Sequence, residues 1–297
     1  MKIGILSFRS PQNRASAEEL SMQKEARALG YKCQIYRAKK FKMVYDQKSS
    51  WLFYDKKPFK KCSVMITRPS ILSDVDIHTS LIQQLEMSGV LLFNKYESIL
   101  KCKNKIKTMQ ILDHYSIPIP RTVLVSRPED LEGAMKLLGG FPVIVKRPVG
   151  SFGAGVSIVE SMRALKSALL WDQPMYLLQE FVKYSKGKDL RVFVINGKVV
   201  GTMMREAKKG EFRANIELGA KGKGVEITEE EVSISLRAVQ ALDLSYGGVD
   251  IIRSKNGPVI LEVNSNPGFK ELERASGVNI GKALVEYAVE YAERHKQ

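Results

Sequence analysis

The sequence predicts an α/β (α+β) protein, with a parallel sheet in its N-terminal part and an antiparallel sheet in its C-terminal part. Three observations support this prediction. Strand-like and helix-like segments alternate through the first third of the chain, as in a parallel sheet with crossover helices. Asn196-Gly197, a dipeptide that favours a hairpin turn, separates two apolar strands. A second strand pair, between Gly247 and Asn264, extends the antiparallel part.

An N-terminal α/β domain is predicted over residues 1–117. Lys2–Ser7 alternates apolar residues like a strand, and Ser16 with Glu19 forms a capping box for a helix that ends at Gly30. The further elements expected are strands at Lys32–Tyr36, Ser63–Thr67 and Val90–Phe93, a helix at Asp76–Gly89 and one connecting helix at Ser98–Tyr115. Proline disfavours helix at the preceding residue, so Ile117–Pro120 is expected to run extended, and the boundary is placed there.

Two further units are predicted, a central one at residues 118–182 and a C-terminal one at residues 183–297. The central elements expected are strands at Arg121–Val125, Pro142–Lys146, Val156–Glu160 and Met175–Glu180, a helix capped by Ser126 with Glu129, and a short helix after Ser161. The C-terminal elements expected are a hairpin of Leu190–Ile195 with Lys198–Met204, a helix with the capping box Thr228 to Glu231, a hairpin at Gly247–Asn264 and a final helix from about Val278.

The composition favours a folded cytoplasmic protein. The chain has 297 residues, 44% of them hydrophobic, which suffices for the core of two or three subdomains. Met1–Ser7 is too short for the apolar part of a signal peptide or for a membrane span, so we expect a cytoplasmic location and no membrane partner. Cys33, Cys62 and Cys102 are odd in number and far apart, so reduced thiols are expected rather than disulfides or zinc ligands.

Positive charge is the strongest bias of the composition. Forty-seven Lys and Arg residues against 32 Asp and Glu residues give a formal net charge of +15. Residues 32–61 contain ten basic residues against two acids, Asp46 and Asp55, with aromatic residues between them. Three interpretations remain open: a nucleic-acid surface, a surface that attracts acidic peptides or nucleotides, and a solvated lysine-rich face.

The strand pair between Gly247 and Asn264 contains a candidate metal site. Its odd-numbered positions are apolar and are expected to face the core: Val249, Ile251, Val259, Leu261 and Val263. Asp250, Glu262 and Asn264 then share the other face, and an odd-numbered turn around Asn256 places Asp250 opposite Glu262. Close carboxylates repel each other unless a cation lies between them, and an all-oxygen ligand set suits Mg²⁺. A half-exposed strand pair with outward polar residues is the simpler alternative.

A glycine-rich loop follows the strand that ends at Lys146. The loop, Gly150-Ser151-Phe152-Gly153-Ala154-Gly155, leads into a strand and lacks the G-K-[ST] ending, so it is neither a Rossmann nor a Walker loop. We expect a flap that covers phosphates, with Ser151 and Gly153 in contact with the nucleotide and Lys146 as counter-charge. A plain turn is the alternative. Lys105 is a second candidate, although its neighbours are typical of a solvated helix face: Lys101, Lys103 and Lys107.

The next two strands offer candidate contacts to a nucleoside. Gln179-Glu180-Phe181 ends an apolar strand and presents backbone groups and a carboxylate to adenine, and Asp189 begins the next strand within reach of a ribose. Surface acids at strand ends are the alternative. His78, His114 and His295 lie outside the acidic cluster, and no cysteine lies near a candidate base, so neither a nucleophilic triad nor a histidine zinc site is predicted.

In their order along the chain, these motifs resemble the ATP-grasp superfamily, specifically the RimK-type glutamate ligases that modify a ribosomal protein. The resemblance covers nearly the whole chain and is carried by Lys105, Lys146 with its glycine loop, Gln179-Glu180-Phe181, Asp189-Leu190-Arg191, Phe212-Arg213-Ala214-Asn215, Gly248-Val249-Asp250-Ile251-Ile252-Arg253 and Glu262-Val263-Asn264-Ser265-Asn266-Pro267-Gly268. The last two stretches are the most specific. The resemblance implies an ATP-grasp fold whose small central domain covers the nucleotide and whose C-terminal domain holds Mg²⁺.

Roles for individual residues follow from the same resemblance. It implies that phosphates are held by Lys105 and Lys146, adenine by Gln179, Glu180 and Phe181, ribose by Asp189, the triphosphate and reaction centre by Arg213 and Asn215, and Mg²⁺, with Mn²⁺ as an alternative, by Asp250, Glu262 and Asn264. The catalytic residues are then Lys146, Arg213 and Asn215. Replacing either metal-facing acid is predicted to abolish ATP turnover and to leave the fold intact.

The implied reaction is ATP-dependent formation of an amide bond through an acyl phosphate, with glutamate as the expected amino-acid substrate. We expect an acidic protein tail or peptide as the acceptor, in a chain compatible with a homo-oligomer. A small coenzyme and an acidic carrier protein are the alternatives, since Glu206 and the 218–224 loop depart from the family pattern near the acceptor site. The rival class is a basic nucleic-acid-binding protein with a vestigial nucleotide site, and it is disfavoured because the predicted ligand residues are all present.

Overall fold

Short strands and helices alternate along the chain, and a computed structural model describes residues 1–47, 49–71, 75–150, 155–170, 172, 174–185 and 187–295. The strands are β1 Lys2–Ser7, β2 Lys32–Arg37, β3 Phe41–Asp46, β4 Ser49–Tyr54, β5 Lys57–Pro58, β6 Val64–Arg68, β7 Leu92–Phe93, β8 Thr122–Val125, β9 Val143–Lys146, β10 Val156–Val159, β11 Tyr176–Glu180, β12 Lys188–Ile195, β13 Lys198–Glu206, β14 Lys221–Gly224, β15 Tyr246–Ser254 and β16 Gly257–Asn264. The α-helices are α1 Ala17–Ala28, α2 Val75–Met87, α3 Tyr96–Lys103, α4 Lys105–His114, α5 Leu131–Leu138, α6 Met162–Ala168, α7 Glu229–Ala241, α8 Lys270–Ser276 and α9 Ile280–Arg294.

The N-terminal third forms the predicted parallel sheet, with strand order β2-β1-β6-β7. α1 begins at the predicted capping box, where the Ser16 hydroxyl accepts a hydrogen bond from the Glu19 amide and the Glu19 carboxylate accepts one from the Ser16 amide. The prediction of a single connecting helix is wrong. Asn104 divides it into α3 and α4, because its side chain accepts hydrogen bonds from the first amides of α4 and so starts a new helix.

The basic segment at residues 32–61 contains a small sheet that the sequence analysis missed. β3, β4 and β5 pair antiparallel. One face packs on the N-terminal sheet through aromatic rings, with the centroids of Tyr36 and Tyr54 4.9 Å apart. The other face leaves Val44 and Trp51 exposed beside Lys42. The segment is therefore a folded layer with one exposed face, and the choice among the three interpretations stays a prediction.

The middle of the chain forms a four-stranded antiparallel sheet, order β10-β9-β11-β8, whose hydrophobic core is shared with α5 and α6. α6 begins at Ser161 as predicted, and the Ser161 hydroxyl accepts from the Ala164 amide. The predicted cap at Ser126 is wrong. A 3₁₀ turn at Pro128–Asp130 comes before α5, and no side chain caps either element. Proline favours the first helical position, so the helical turn starts too late for Ser126 to be its cap.

The C-terminal part forms a five-stranded antiparallel sheet, order β14-β13-β12-β15-β16. Asn196 and Gly197 have φ values of 48° and 69°, as a two-residue type I′ turn requires. α7 begins at the predicted capping box of Thr228. Each long hairpin contains a β-bulge that the sequence analysis missed, because Val200 on β13 and Leu261 on β16 have no residue opposite them.

The first and last parts of the chain share one hydrophobic core. It includes Ile3, Ile5, Phe93, Phe193, Tyr246, Phe269, Leu272 and Leu284. The fully buried side chain of Asn94 adds polar contacts across the junction. It donates to the carbonyl oxygens of Tyr246 and Ser265, and it accepts from the amides of Ser245 and Tyr246. The N-terminal sheet is thus held against β15 and the end of β16, while the domain limits at 117 and 182 stay predictions.

The cysteine side chains lie in apolar surroundings. Burial raises the pKa of Cys33 and of Cys62 to about 11, and it raises the pKa of Cys102 to about 12. Within the described ranges all three thiols are free, and at neutral pH they are protonated, so none of them is a ready nucleophile.

Candidate active site

A cavity of about 480 Å³ lies where the parallel sheet, the central sheet and the C-terminal sheet meet. The predicted site residues that line it are Lys105, Lys146, Gln179, Glu180, Phe181, Asp189, Arg213, Asn215, Asp250, Glu262 and Asn264. Ser151 and Gly153, the two predicted loop contacts, lie outside the described residues. The fold therefore brings residues from widely separated parts of the sequence to one space.

β15 and β16 place the predicted metal ligands in this cavity. Asp250 lies directly opposite Glu262, as predicted. The predicted odd-numbered turn is wrong, because the turn contains two residues, Lys255 and Asn256. The bulge at Leu261 adds one residue to β16 and so restores the pairing of the two acids.

Between the turn and the bulge, the residues of β16 face the side of the sheet opposite to the one predicted. Ile260, not Leu261, lies opposite Ile251, and both isoleucines are fully buried in the core. The prediction that Val259 and Leu261 face the core is therefore wrong. Leu261 and Ile252 instead line the cavity and give it an apolar wall beside the carboxylates.

Four buried charges form one network beneath the cavity. Arg191 donates through Nε and Nη2 to both oxygens of Asp250, and the Nη2–Oδ2 distance is 2.9 Å. Arg205 donates to both oxygens of Asp189, at 2.5 and 2.8 Å, and its Nη2 lies 2.9 Å from Oδ2 of Asp250. Two guanidinium groups thus balance two carboxylates.

This network sets the charge states of its acids. Burial alone would raise the pKa of Asp250, but Arg191 and Arg205 outweigh it and hold the pKa below its ordinary value. Burial raises the pKa of Asp189 to about 6. The negative charge of Asp250 adds to this rise, and Arg205 offsets only part of it.

Glu262 has a different environment. Its half-buried carboxylate forms no hydrogen bond or ion pair with any part of the chain that the structure describes. Asn264 donates from Nδ2 to Oδ2 of Asp250 at 3.4 Å, which leaves the Asn264 amide oxygen as an acceptor. One unengaged carboxylate and one amide oxygen fit Mg²⁺, which keeps waters and phosphate oxygens as its other ligands.

The contribution of Asp250 to such a site is smaller than the resemblance implies, because guanidinium groups contact both of its oxygens. The described residues contain no group of three or more His, Cys, Asp and Glu side chains that alone would hold a metal. The three-residue Mg²⁺ assignment therefore stays a prediction, with Glu262 and Asn264 as its best-fitting members.

Lys146 ends β9 inside the cavity. Its Nζ donates to Oε1 of Gln179 at 2.6 Å, and Nε2 of Gln179 donates to the Thr122 hydroxyl at 2.8 Å. This chain of hydrogen bonds orients the ammonium group without neutralising it. Burial lowers the pKa of Lys146 to about 8.

Lys105 also faces the cavity, so the solvated-face interpretation of this lysine is wrong. Its Nζ donates to the carbonyl oxygen of Gly150 at 2.9 Å, at the start of the glycine-rich loop. Lys103 lines the same wall, and burial lowers its pKa. Lysine occurs at every second position from 101 to 107, so the sequence pattern alone does not show that Lys103 and Lys105 line the cavity.

Other predicted residues line the cavity but are engaged in further contacts. Oε1 of Glu180 accepts from the Arg121 amide at 2.8 Å. Arg213 pairs with Glu211, with Nη2 and Oε2 2.8 Å apart, and Arg213 lowers the pKa of Glu211 to about 2. Both oxygens of Asp189 contact Arg205, which limits its reach to a ribose. The adenine, ribose and triphosphate roles stay predictions.

The roles of Arg191 and Arg205 as partners of the buried acids were not predicted from the sequence. Arg191 and Arg205 are 8% and 6% exposed. Arg191 and Asp189 are two residues apart on β12 and so lie on the same face of the strand, which the sequence pattern does indicate. Counting back from the Asn196-Gly197 turn pairs Asp189 with residue 204, however, because the Val200 bulge that shifts the register by one residue is invisible in the sequence.

We expect nucleotide affinity to depend on pH through Lys146. Its pKa of about 8 means that the ammonium group is charged below pH 8 and must regain its proton above it. Calorimetric titration with ADP and Mg²⁺ should therefore show affinity falling by up to about tenfold per pH unit above pH 8.

Lys146→Ala is expected to weaken ADP binding by at least about tenfold at pH 7, because one charge-assisted hydrogen bond is lost. The variant should also remove this pH dependence. Lys136→Ala, an exposed lysine on α5, is the matched control. An unchanged ADP affinity in Lys146→Ala would refute the phosphate role.

Two family models match most of the chain. Residues 1–99 match the RimK PreATP-grasp domain, and residues 102–288 match the RimK-like ATP-grasp domain. A probable alpha-L-glutamate ligase of Coxiella burnetii is 35% identical over 291 residues, which is 97% of this chain and 95% of that protein. One of Thioalkalivibrio sulfidiphilus is 33% identical over 300 residues, 100% of this chain and 98% of that protein.

Solved structures agree on the fold. The ATP-grasp ligase PsnB, complexed with a phosphomimetic variant of its minimal precursor, Mg and ADP, has a TM-score of 0.73 at 18% identity and covers 97% of both chains. D-alanine–D-alanine ligase of Bacillus anthracis, complexed with ATP, has a TM-score of 0.70 at 19% identity, covering 99% of this chain and 98% of that one. From the family models, the full-length relatives and this fold, the chain belongs to the RimK-like ATP-grasp family and is an ATP-dependent ligase.

Proposed function

We propose that this ligase adds glutamate to an acidic protein tail or peptide through an acyl phosphate. The observation that carries the proposal is the cavity, in which Lys105 and Lys146 lie with the unengaged carboxylate of Glu262. The named activity of the relatives supports glutamate as the amino acid. The net charge of +15 supports an acidic acceptor, since ATP and one amino acid do not require such an excess.

In the proposed reaction, a substrate carboxylate oxygen attacks the γ-phosphorus of ATP, ADP leaves and an acyl phosphate forms. The amine of the second substrate then attacks the carbonyl carbon, phosphate leaves and the amine nitrogen loses a proton. Lys146 and Lys105 orient the phosphates and offset their charge. Glu262 and Asn264, beside Asp250, would hold Mg²⁺, which would supply further positive charge to the phosphates.

The test is incubation of cell extract with the purified protein, Mg-ATP and isotope-labelled glutamate, followed by mass spectrometry of proteins and metabolites. Label in an acidic protein or peptide supports the proposal. Label in a small coenzyme, or on an acidic carrier protein, would support the corresponding alternative. Absence of ATP-dependent label from every fraction would reject glutamate as the substrate.

Ionic strength provides a second test, because exposed lysines on the β3-β4-β5 sheet would steer an acidic acceptor. We expect the Michaelis constant for the acceptor to rise steeply between low salt and about 0.3 M, where the screening length is about 6 Å, while that for ATP changes modestly. Lys42→Glu and Lys57→Glu should reduce this salt dependence, and Lys166→Glu on α6 is the control. Equal responses of both constants would assign the basic surface to nucleic acid or solubility.

No helix within the described ranges is long and apolar enough to cross a membrane. The cytoplasmic location, Mn²⁺ as a substitute for Mg²⁺ and a homo-oligomer stay predictions.

A further inference from the structure

β14 is an edge strand of the C-terminal sheet. It pairs with β13 on one side, and within the described residues no strand pairs with it on the other. Backbone amides and carbonyls of alternate residues in a strand point to opposite sides, so an edge strand leaves every second set unpaired. No other part of the described chain donates to or accepts from the backbone of Lys221–Gly224 outside its pairing with β13. This edge can therefore accept a further strand.

The side chains beside this edge are positively charged. Lys221 and Lys223 are two residues apart on β14, so they lie on the same face of the strand, and both are exposed. A Cβ placed on Gly219 would meet Nζ of Lys208, so a third ammonium group lies just before β14. None of these three lysines forms an ion pair with a described side chain. Together they give the edge an uncompensated positive charge.

The acid on the neighbouring strand does not cancel this charge. Glu206 on β13 lies opposite Lys221. Its Oε1 lies 3.3 Å from Nζ of Lys188, however, so the charge of Glu206 is already offset by another lysine. The edge of β14 therefore favours a partner that carries negative charge.

β14 also lies next to the cavity. Asn215 and Ile216 line the cavity, and the carbonyl oxygen of Asn215 accepts from the Ala220 amide at 3.1 Å, in the turn that leads into β14. A Cβ placed on Gly222 would lie 3.1 Å from Cγ of Glu271, a residue of α8 that also lines the cavity. A chain extended along β14 would therefore have one end near the cavity.

An acidic peptide satisfies both properties of this edge. Its backbone amides and carbonyls would pair with the outward groups of β14, as in other cases of strand addition. Side chains two residues apart in a strand lie about 6.5–7 Å apart on one face, so alternate carboxylates would match the spacing of Lys221 and Lys223. Nucleic acid would contact the lysines through phosphates but would leave the strand edge unpaired.

We propose that the free edge of β14 binds an acidic segment of the acceptor as a sixth strand of the C-terminal sheet. This inference rests on the proposed function and adds the surface that holds the acceptor while its reacting end enters the cavity. Lysines on the β3-β4-β5 sheet act at a distance on the approach of the acceptor, whereas β14 makes direct contact with it.

The test uses an eight-residue peptide of alternating threonine and glutamate, blocked at both ends and fluorescently labelled. Fluorescence anisotropy follows its binding to the full-length protein. Two further peptides are N-methylated, one at every threonine amide and the other at every glutamate amide. Because these two sets of amides point to opposite sides of a strand, only one set would face β14. We expect one methylated peptide to bind at least about tenfold more weakly than the unmodified peptide, and the other to bind within about twofold of it.

A double variant tests the lysines. Lys221→Glu with Lys223→Glu should weaken binding of the unmodified peptide by about tenfold or more, since two attractive charges become repulsive. Lys136→Glu, on the exposed face of α5, is the matched control and should change the affinity by less than about twofold. ADP affinity should be the same in the wild type and in both variants, which shows that the fold is intact.

Equal effects of the two methylations, which binding by charge alone predicts, would overturn the proposal. So would no binding of the unmodified peptide, or an unchanged affinity in the double variant. Failure of the proposed function has a different signature. If labelled glutamate enters no acidic protein or peptide while binding still depends on the methylated set and on the two lysines, the peptide-binding edge stands and the proposed function is wrong.

Discussion

Glu262→Gln is expected to lower ATP turnover by about two to three orders of magnitude while leaving the fold intact. The variant removes the unengaged negative charge from the predicted Mg²⁺ site. Loss of the metal's stabilisation of the transition state raises the barrier by several kcal/mol, and each 1.4 kcal/mol lowers the rate about tenfold. Glu262 forms no hydrogen bond or ion pair in the described chain, so its amide analogue breaks no contact. The free energy of unfolding should change by less than about 0.5 kcal/mol.

Two measurements separate these effects. ADP release in a coupled assay follows turnover, and urea unfolding follows stability. Raising Mg²⁺ should restore part of the lost rate, since weakened metal binding is the expected cause. Glu226→Gln, exposed in the same C-terminal part, is the control for the change of charge. A wild-type rate in Glu262→Gln would remove this residue from the metal site.

Asp250→Asn is expected to be inactive for a different reason, because it also lowers the free energy of unfolding by about 3–5 kcal/mol. Both carboxylate oxygens accept from buried guanidinium groups of Arg191 and Arg205. Without this charge, two buried cations share the single carboxylate of Asp189. The sequence-based expectation of an intact fold is therefore revised for Asp250, and it is retained for Glu262.

The pH dependence of stability should confirm this origin. The arginines lower the pKa of Asp250 in the folded protein, so its stabilisation is present above the unfolded-state pKa of about 3.9 and is lost as pH falls through the folded value. Asp250→Asn lacks this acid-labile part, so its stability deficit should shrink below pH 4. Asp113→Asn, exposed on α4, is the control. A deficit near zero at pH 7 would contradict the network.

Features that depend on a few neighbouring residues could be predicted from the sequence. The capping boxes at Ser16 and Thr228 start their helices as predicted, because both partners lie within one turn. Asn196-Gly197 makes its turn because these residues tolerate positive φ. The parallel then antiparallel order of the strands follows from the same local signals. The ordered motifs were also sufficient to identify the family.

Tertiary structure alone decided which charges meet. The bulges at Val200 and Leu261 each shift a strand by one residue, and only these shifts set Asp189 opposite Arg205 and Asp250 opposite Glu262. A bulge inserts one extra, unpaired residue into a strand, so counting residues along that strand does not reveal it.

Burial was equally invisible in the sequence. Lys105 and Lys107 look alike in the pattern, yet only Lys105 lines the cavity, and Lys146 loses enough water to lower its pKa to about 8. Desolvation depends on how distant parts of the chain pack around a group. For that reason, residue types predicted the chemistry of this site, and packing decided which groups are charged, paired or left unpaired there.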